Sequence, residues 1–198
     1  FEGIDASNWF PSKNSNLKHP CVGLLQDANW WGKTKEMLIL KNVLEQLPDI
    51  TFYWVGDGLY REKITTELEQ FSNFKWLSRM KYPDEVKDFL SEIDIYALIT
   101  GMDTAPLTLK EAQLMQKPVI ATDVGGVNEM MENNQNGFLV KEGSSKDVID
   151  KIKILINDKE LSLKMGESGR IFVEEIFSWE IIAKKFLDSI SNYIKNEK

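Results

Sequence analysis

Short apolar runs alternate with helically patterned stretches along this chain, and that alternation limits its fold more than any other feature. Runs at 21–25, 51–55, 74–77, 93–99, 119–122 and 137–140 read as buried strands. Between the first two, Met37, Leu38, Leu40, Val43, Leu44 and Leu47 recur at helical spacing, so a helix is expected over 34–47, closed by Pro48. Further helices are expected over 60–71, 83–90 and 107–115, with a short one over 127–132. Asp84 and Glu85 fall in a first turn, where the helix dipole favours acids. Beyond Val140 only helices remain, at 145–156, 159–172 and 179–194. Strands alternating with helices imply an α/β fold: a Rossmann-like parallel sheet with helices on both faces, here with a C-terminal helical extension.

Composition sets outer bounds. A chain of 198 residues can bury the core of one large α/β domain. Its net charge of −7 repels phosphate backbones, so broad nucleic-acid binding is disfavoured, though one small basic pocket is not. With one cysteine, Cys21, and one histidine, His19, an internal disulfide is impossible and a Cys/His zinc site is not expected. No apolar run approaches the roughly 18–20 residues of a membrane-spanning helix. The first residue is Phe, not Met, so the chain is expected to start inside something larger, or after processing or cloning. Residues 1–20, polar and irregular, read as a linker that packs on the domain surface.

In open parallel sheets, ligands bind at the carboxyl ends of the strands. That rule selects the loops at 26–34, 56–60, 78–82, 100–107 and 123–128. Pro106 suits a helix start, and the amides of Leu107, Thr108 and Leu109 would then face outward as anion donors. Asp103 precedes them and Glu111 follows on the helix; spacing alone equally allows a helix cap and a solvated glutamate. Gly125 and Gly126 permit close backbone approach to a ligand, or simply make a tight turn. The first loop holds Trp30, Trp31 and Lys33, which suit a sugar, base or phosphate, or a covered surface. Together the loops suit a nucleotide or a phosphorylated sugar.

The run from Gly101 to Glu129 resembles the donor site of family-4 (group 1) retaining glycosyltransferases, with an acidic residue, seven residues, Glu111, then Lys117-Pro-Val-Ile-Ala-Thr-Asp-Val-Gly-Gly126. Val55-Gly-Asp-Gly58, Asn136-Gly-Phe-Leu-Val140 and Phe177-Ser-Trp-Glu180 are similar to that family too. The resemblance covers about 20–195 and implies one half of a GT-B fold, the half that binds a nucleoside-diphosphate sugar. It implies that Glu111 binds the ribose, that Asp103 lies near the transferred sugar, and that Lys33 neutralises the diphosphate. Backbone around Pro106, Leu107 and Thr108 would hold the diphosphate, Gly125 and Gly126 would belong to the donor site, and the base would lie near Trp76 and Leu77. The implied chemistry is retaining hexosyl transfer to a glycan, lipid or small-molecule acceptor, with no cofactor or tightly bound metal. A separate N-terminal domain would bind the acceptor; residues 1–20 would be the hinge, 21–178 the donor domain, and 179–198 a helix packing back on the missing domain. A cytoplasmic location is expected, with peripheral membrane attachment through that missing domain allowed.

Three departures stand out. Asp103 replaces the family's Glu. Leu24 stands directly after Gly23, where many members carry an Arg that clamps the diphosphate, which leaves Lys35, Arg61 or Arg79 to substitute. The loop at 26–32 is long and carries two tryptophans. These keep a second reading open, a binding module or inactive subunit. A Rossmann oxidoreductase is disfavoured, because the first strand-to-helix turn lacks Gly-x-Gly-x-x-Gly.

Overall fold

Parallel strands are joined by crossovers that lay helices on both faces of a sheet, so their side chains must be apolar on both sides. In the computed structural model, which describes residues 3–11 and 16–196, the apolar runs meet that demand. Strands β1 (Cys21–Leu25), β2 (Thr51–Val55), β3 (Phe74–Leu77), β4 (Ile95–Leu98), β5 (Val119–Thr122) and β6 (Gly137–Val140) form one sheet in the order β3-β2-β1-β4-β5-β6. All five pairings are parallel. β1, β2, β4 and β5 are buried at every position.

Eight α-helices surround the sheet among the described residues: α1 (Trp31–Thr34), α2 (Leu40–Gln46), α3 (Arg61–Leu68), α4 (Asp84–Glu92), α5 (Leu107–Leu114), α6 (Ser145–Asn157), α7 (Lys159–Phe177) and α8 (Trp179–Asn196). Side chains alternate across a strand, so each face of the sheet has its own core. Val22, Leu24, Phe52 and Trp54 pack with Leu44 of α2, Ile64 of α3 and Ile152 of α6. Leu25, Tyr53, Tyr96 and Leu98 pack with Phe89 of α4, Leu109 of α5 and Val173 of α7. Ser144 and Asp158 cap α6 and α7, accepting from the amides of Asp147 and Leu161.

The strand expectations hold closely, while helix ends move. The helix expected at 34–47 begins at Trp31 and passes through a 3-10 segment, Lys35–Ile39, before α2. Ile93 and Asp94 are not part of β4; Ile93 instead ends α4, donating its amide to Phe89 O at 3.2 Å. The helix expected at 127–132 is only a three-residue 3-10 turn, Val127–Glu129. α7 runs five residues past its expected end at 172, because Met165, Gly169, Val173 and Phe177 continue one buried stripe.

The described part of the expected linker is tied into the fold. Ile4 and Trp9 are buried, and the Ile4 amide donates to Phe177 O at 2.9 Å. Arg170 of α7 donates through Nη1 to Trp9 O at 2.6 Å and to Leu114 O at 2.7 Å, joining this segment to the end of α5. Residues 1–2 and 12–15, part of the same expected linker, lie outside the described residues, as do 197–198 of the last helix. At the amino ends of β1 and β4, Asp94 accepts from the Cys21 amide at 2.7 Å and pairs with His19 Nδ1 at 2.8 Å. The buried Cys21 thiol lies 3.7 Å from that nitrogen, and burial pushes its pKa up to about 12, so it remains a thiol. No described helix is long and apolar enough to cross a membrane.

α5, which carries the candidate anion donors, is held from behind by α7. A Cβ on Gly166 of α7 would sit 2.0 Å from Gln116 O, just past the end of α5. Gly166→Ala is therefore expected to push the two helices apart and cost roughly 1–3 kcal/mol of stability, read by urea denaturation.

Candidate functional site

The strand order reverses between β1 and β4, so the loops leaving those two strands diverge and open a crevice at the carboxyl edge. A cleft of about 550 Å³ occupies that place. Gln26 and Asp27 after β1, Asp57 after β2, and Arg79 and Met80 after β3 line one side. Asp103, Pro106, Leu107 and Thr108 line the other, and Lys33 reaches in from α1.

Lys33 and Asp103 meet across the crevice. Lys33 Nζ lies 2.7 Å from Asp103 Oδ2, with side-chain exposures of 23% and 13%. The other carboxylate oxygen of Asp103 accepts the Thr104 amide at 2.9 Å. The Gly101 amide donates to Lys33 O at 3.0 Å, so backbone and side chain together join the two loops. An arriving anion would have to compete with Asp103 for this ammonium.

Pro106 sits just ahead of α5 with φ −63° and ψ 111°, outside the helical region. Its carbonyl accepts the Leu109 amide at 3.2 Å, which removes one of the three expected donors. The amides of Leu107 and Thr108 have no backbone acceptor among the described residues and stand at the positive end of the helix dipole. The Thr108 hydroxyl accepts from buried Tyr96 at 2.7 Å, which fixes the first turn of α5 against the sheet.

Glu111 is not among the residues that line the cleft; it is 1% exposed. Burial pushes its pKa up to about 7, opposed by a hydrogen bond with Tyr82 and by the Lys110 charge. Its Oε1 is buried without a partner. Tyr82 is itself exposed and rests at a tilt near Trp9, ring centroids 6.2 Å apart. The Glu111 carboxyl is therefore buried and bonded to Tyr82, not open to the cleft.

Gly125 and Gly126 also stand behind the lining. Gly125 has φ +55°, and a Cβ there would lie 2.1 Å from Asp103 O; one on Gly126 would lie 2.1 Å from Thr104 O. Their part is to let the loop after β5 clasp the Asp103 loop, through Gly126 N to Asp103 O at 3.0 Å. Trp76 and Leu77 are likewise outside the lining: Trp76 donates to Gly56 O at 2.8 Å under the Arg61 guanidinium, and Leu77 packs in the second core. Arg79, expected as one substitute for the absent clamping Arg, reaches the cleft, and Met80 beside it was not foreseen.

Leu24 supplies no clamp, as its apolar side chain implies. Leu24 is wholly buried inside β1 and faces the first core, so this side chain takes no part in the cleft. β1 continues to Leu25, and the first side chain beyond it is Gln26. Among the proposed substitutes, Arg79 lines the cleft, whereas Arg61 stacks 5.0 Å from the Trp76 ring and Lys35 is not in the lining. The paired tryptophans separate: Trp31 packs 5.4 Å from Tyr60, while Trp30 stays 70% exposed.

The buried carboxyl of Glu111 gives a signed pH effect. Its folded-state pKa of about 7 lies above the ordinary glutamate value of 4.5, so the folded chain holds this proton more tightly than the unfolded chain. Stability is unaffected by this group below the lower value and falls as pH rises towards the upper one. Glu111→Gln is expected to become progressively more stable relative to the parent between these limits, by up to roughly 3 kcal/mol, in urea titrations at each pH. An unchanging difference across that window would show that the carboxyl is not buried in this way.

A model of the family described as glycosyl transferases group 1 matches residues 32–172. An uncharacterised glycosyltransferase of Methanocaldococcus jannaschii is 33% identical over 134 residues, which is 67% of this chain and 38% of the relative. The C-terminal domain of the group 1 glycosyl transferase LpcC from Francisella tularensis superposes with a TM-score of 0.75 at 20% identity, over 89% of this chain and 100% of that one. Anabaena HepE in complex with UDP-glucose superposes with a TM-score of 0.80 at 20% identity, over 96% of this chain and 56% of that one. The chain spans only 30–38% of the length of three curated relatives. The solved structures share its fold, and the family model runs over most of its length: the chain belongs to the glycosyl transferases of group 1.

Proposed function

We propose that this chain is the C-terminal, donor-binding half of a retaining GT-B glycosyltransferase, which takes a hexose from a nucleoside-diphosphate sugar. The observation that carries this reading is the convergence, in one cleft at the strand-order reversal, of Lys33, Arg79 and the free amides at the start of α5. Cations and helix-end amides are what a diphosphate needs, both in the bound donor and as the leaving group. The complex of Anabaena HepE with UDP-glucose, on the same fold, supports the ligand class.

In this reading the diphosphate takes Lys33 from Asp103 and accepts from the amides of Leu107 and Thr108. Asp103, released, turns to the transferred sugar. Glu111 meets the ribose once it is uncovered, and the base lies towards the end of β3. The transfer uses no tightly held metal and no cofactor. A separate N-terminal domain supplies the acceptor site, with residues 1–20 as the hinge and 21–178 as the donor domain. α8 presents exposed Phe186, Leu187 and Tyr193, a face suited to packing on that domain. The acceptor is a glycan, lipid or small molecule met on the cytoplasmic side, where the missing domain can also attach to a membrane surface.

One observation favours a second reading, a non-catalytic binding module: Asp103 is already paired and Glu111 is already covered. Two measurements separate the readings. In a thermal-shift panel of UDP, GDP and ADP sugars, one class is expected to raise the Tm, by an amount equivalent to about 2.7 kcal/mol at a hundred times its Kd. Lys33→Ala is expected to weaken that binding roughly ten- to a hundredfold, as loss of a charge-assisted hydrogen bond would. If no sugar nucleotide shifts the Tm, the donor site is wrong. Transfer by the full-length protein, lost in Lys33→Ala, would mark an enzyme; binding without transfer would mark a module.

A further inference from the structure

Gln26 is the first residue beyond β1, at the point where the strand order reverses, and it is held unusually firmly. Its amide donates to Val55 O at 3.2 Å, and its carbonyl accepts from Trp54 Nε1 at 2.9 Å. Its carboxamide nitrogen donates to Ile99 O at 3.0 Å, bridging from the end of β1 to the end of β4. That last bond decides which way the carboxamide faces. Turned over, it would set two acceptor oxygens against each other at the same distance.

The side chain is 5% exposed and lines the cleft, yet its remaining atom, Oε1, is buried with no hydrogen-bond partner. Buried polar atoms are normally paired, and an unpaired acceptor on a residue that lines the cleft is one that a small shift on ligand binding can satisfy. Oε1 is an acceptor only, so that group must be a donor. A diphosphate near neutral pH offers acceptors and cannot satisfy it. Asp27 and Asp57, which line the same side, add further acceptors that repel a phosphate and suit hydroxyl groups.

Position narrows the choice further. The base is assigned to the end of β3, and β1 lies two strands away in the sheet order. Adjacent strands are about 4.8 Å apart, so Gln26 is roughly 10 Å from the base side. We propose that Gln26 is a specificity-determining residue whose Oε1 accepts a hydrogen bond from a hydroxyl of the transferred sugar. This rests on the donor-site reading above and deepens it. The diphosphate is left to Lys33 and the α5 amides, while Gln26 distinguishes a sugar-bearing nucleotide from the bare diphosphate.

The test compares matched pairs by calorimetry on the 198-residue chain: UDP with UDP-glucose, GDP with GDP-mannose, and ADP with ADP-glucose. For the pair that binds, the sugar is expected to improve affinity about tenfold in the parent. Gln26→Met should remove that advantage and leave the Kd of the bare diphosphate within about twofold. An equal loss for both ligands would show that Gln26 only supports the loops, and would overturn the proposal. So would a variant that still prefers the sugar nucleotide as the parent does.

A second measurement needs no variant. Replacing one sugar hydroxyl at a time by fluorine keeps an acceptor and removes the donor. One position should lose about tenfold in the parent chain; no loss at any position overturns the proposal. If none of the three pairs binds the parent, the donor-site reading itself falls and the role of Gln26 falls with it.

Discussion

The cleft depends on one pairing, that of β1 with β4. β1 lies between β2 and β4, and its register against β4 is set by Val22 opposite Ile95 and Gly23 opposite Tyr96. Gly23 gives the helix layer room to approach: a Cβ there would lie 2.7 Å from Ile93 and 2.9 Å from Phe89. From this central strand the chain goes to β2 on one side and returns through β4 on the other. The gap between the departing loops is the only reason that Gln26, Lys33, Asp103 and the start of α5 share one space.

The loops above that pairing are held by backbone against backbone. A Cβ on Gly101 would lie 2.3 Å from Gly32 O, and Gly125 and Gly126 press equally hard on the carbonyls of Asp103 and Thr104. The segment bearing Asp103 is thus clasped between α1 and the loop after β5. Charge completes the arrangement. A chain of net charge −7 brings Lys33 and Arg79 to this cleft, and it keeps Lys33 compensated by Asp103 until something more strongly anionic arrives.

The strands were legible because a parallel sheet covered on both faces demands unbroken apolar runs, and Thr51–Val55 or Val119–Thr122 can serve little else. The loops that build the cleft followed from strand order, as did Lys33, Asp103, Pro106, Leu107, Thr108 and Arg79 in its wall. What escaped was what depends on other elements. Glu111 is buried and bonded to Tyr82, a residue 29 positions earlier in the chain, and no local pattern announces that contact. The glycines at 125 and 126 carry the signature of ligand approach, but the backbone they admit is the protein's own. Gln26 went unnamed, although the apolar run ends at Leu25 and makes it the first residue beyond the strand.

The β1–β4 ladder also has a kinetic meaning. β1, β2 and β3 follow one another in both sequence and sheet, so they can assemble through near-neighbour crossovers. Joining Val22 to Ile95 closes a loop of more than seventy residues, and such distant pairings form late because their closure entropy comes before their reward. The crevice therefore does not exist on a half-folded chain. Any partly opened form that releases β4 from β1 keeps most of its helices and loses the cleft at once, so a molecule bound there would hold together the two halves of the sheet.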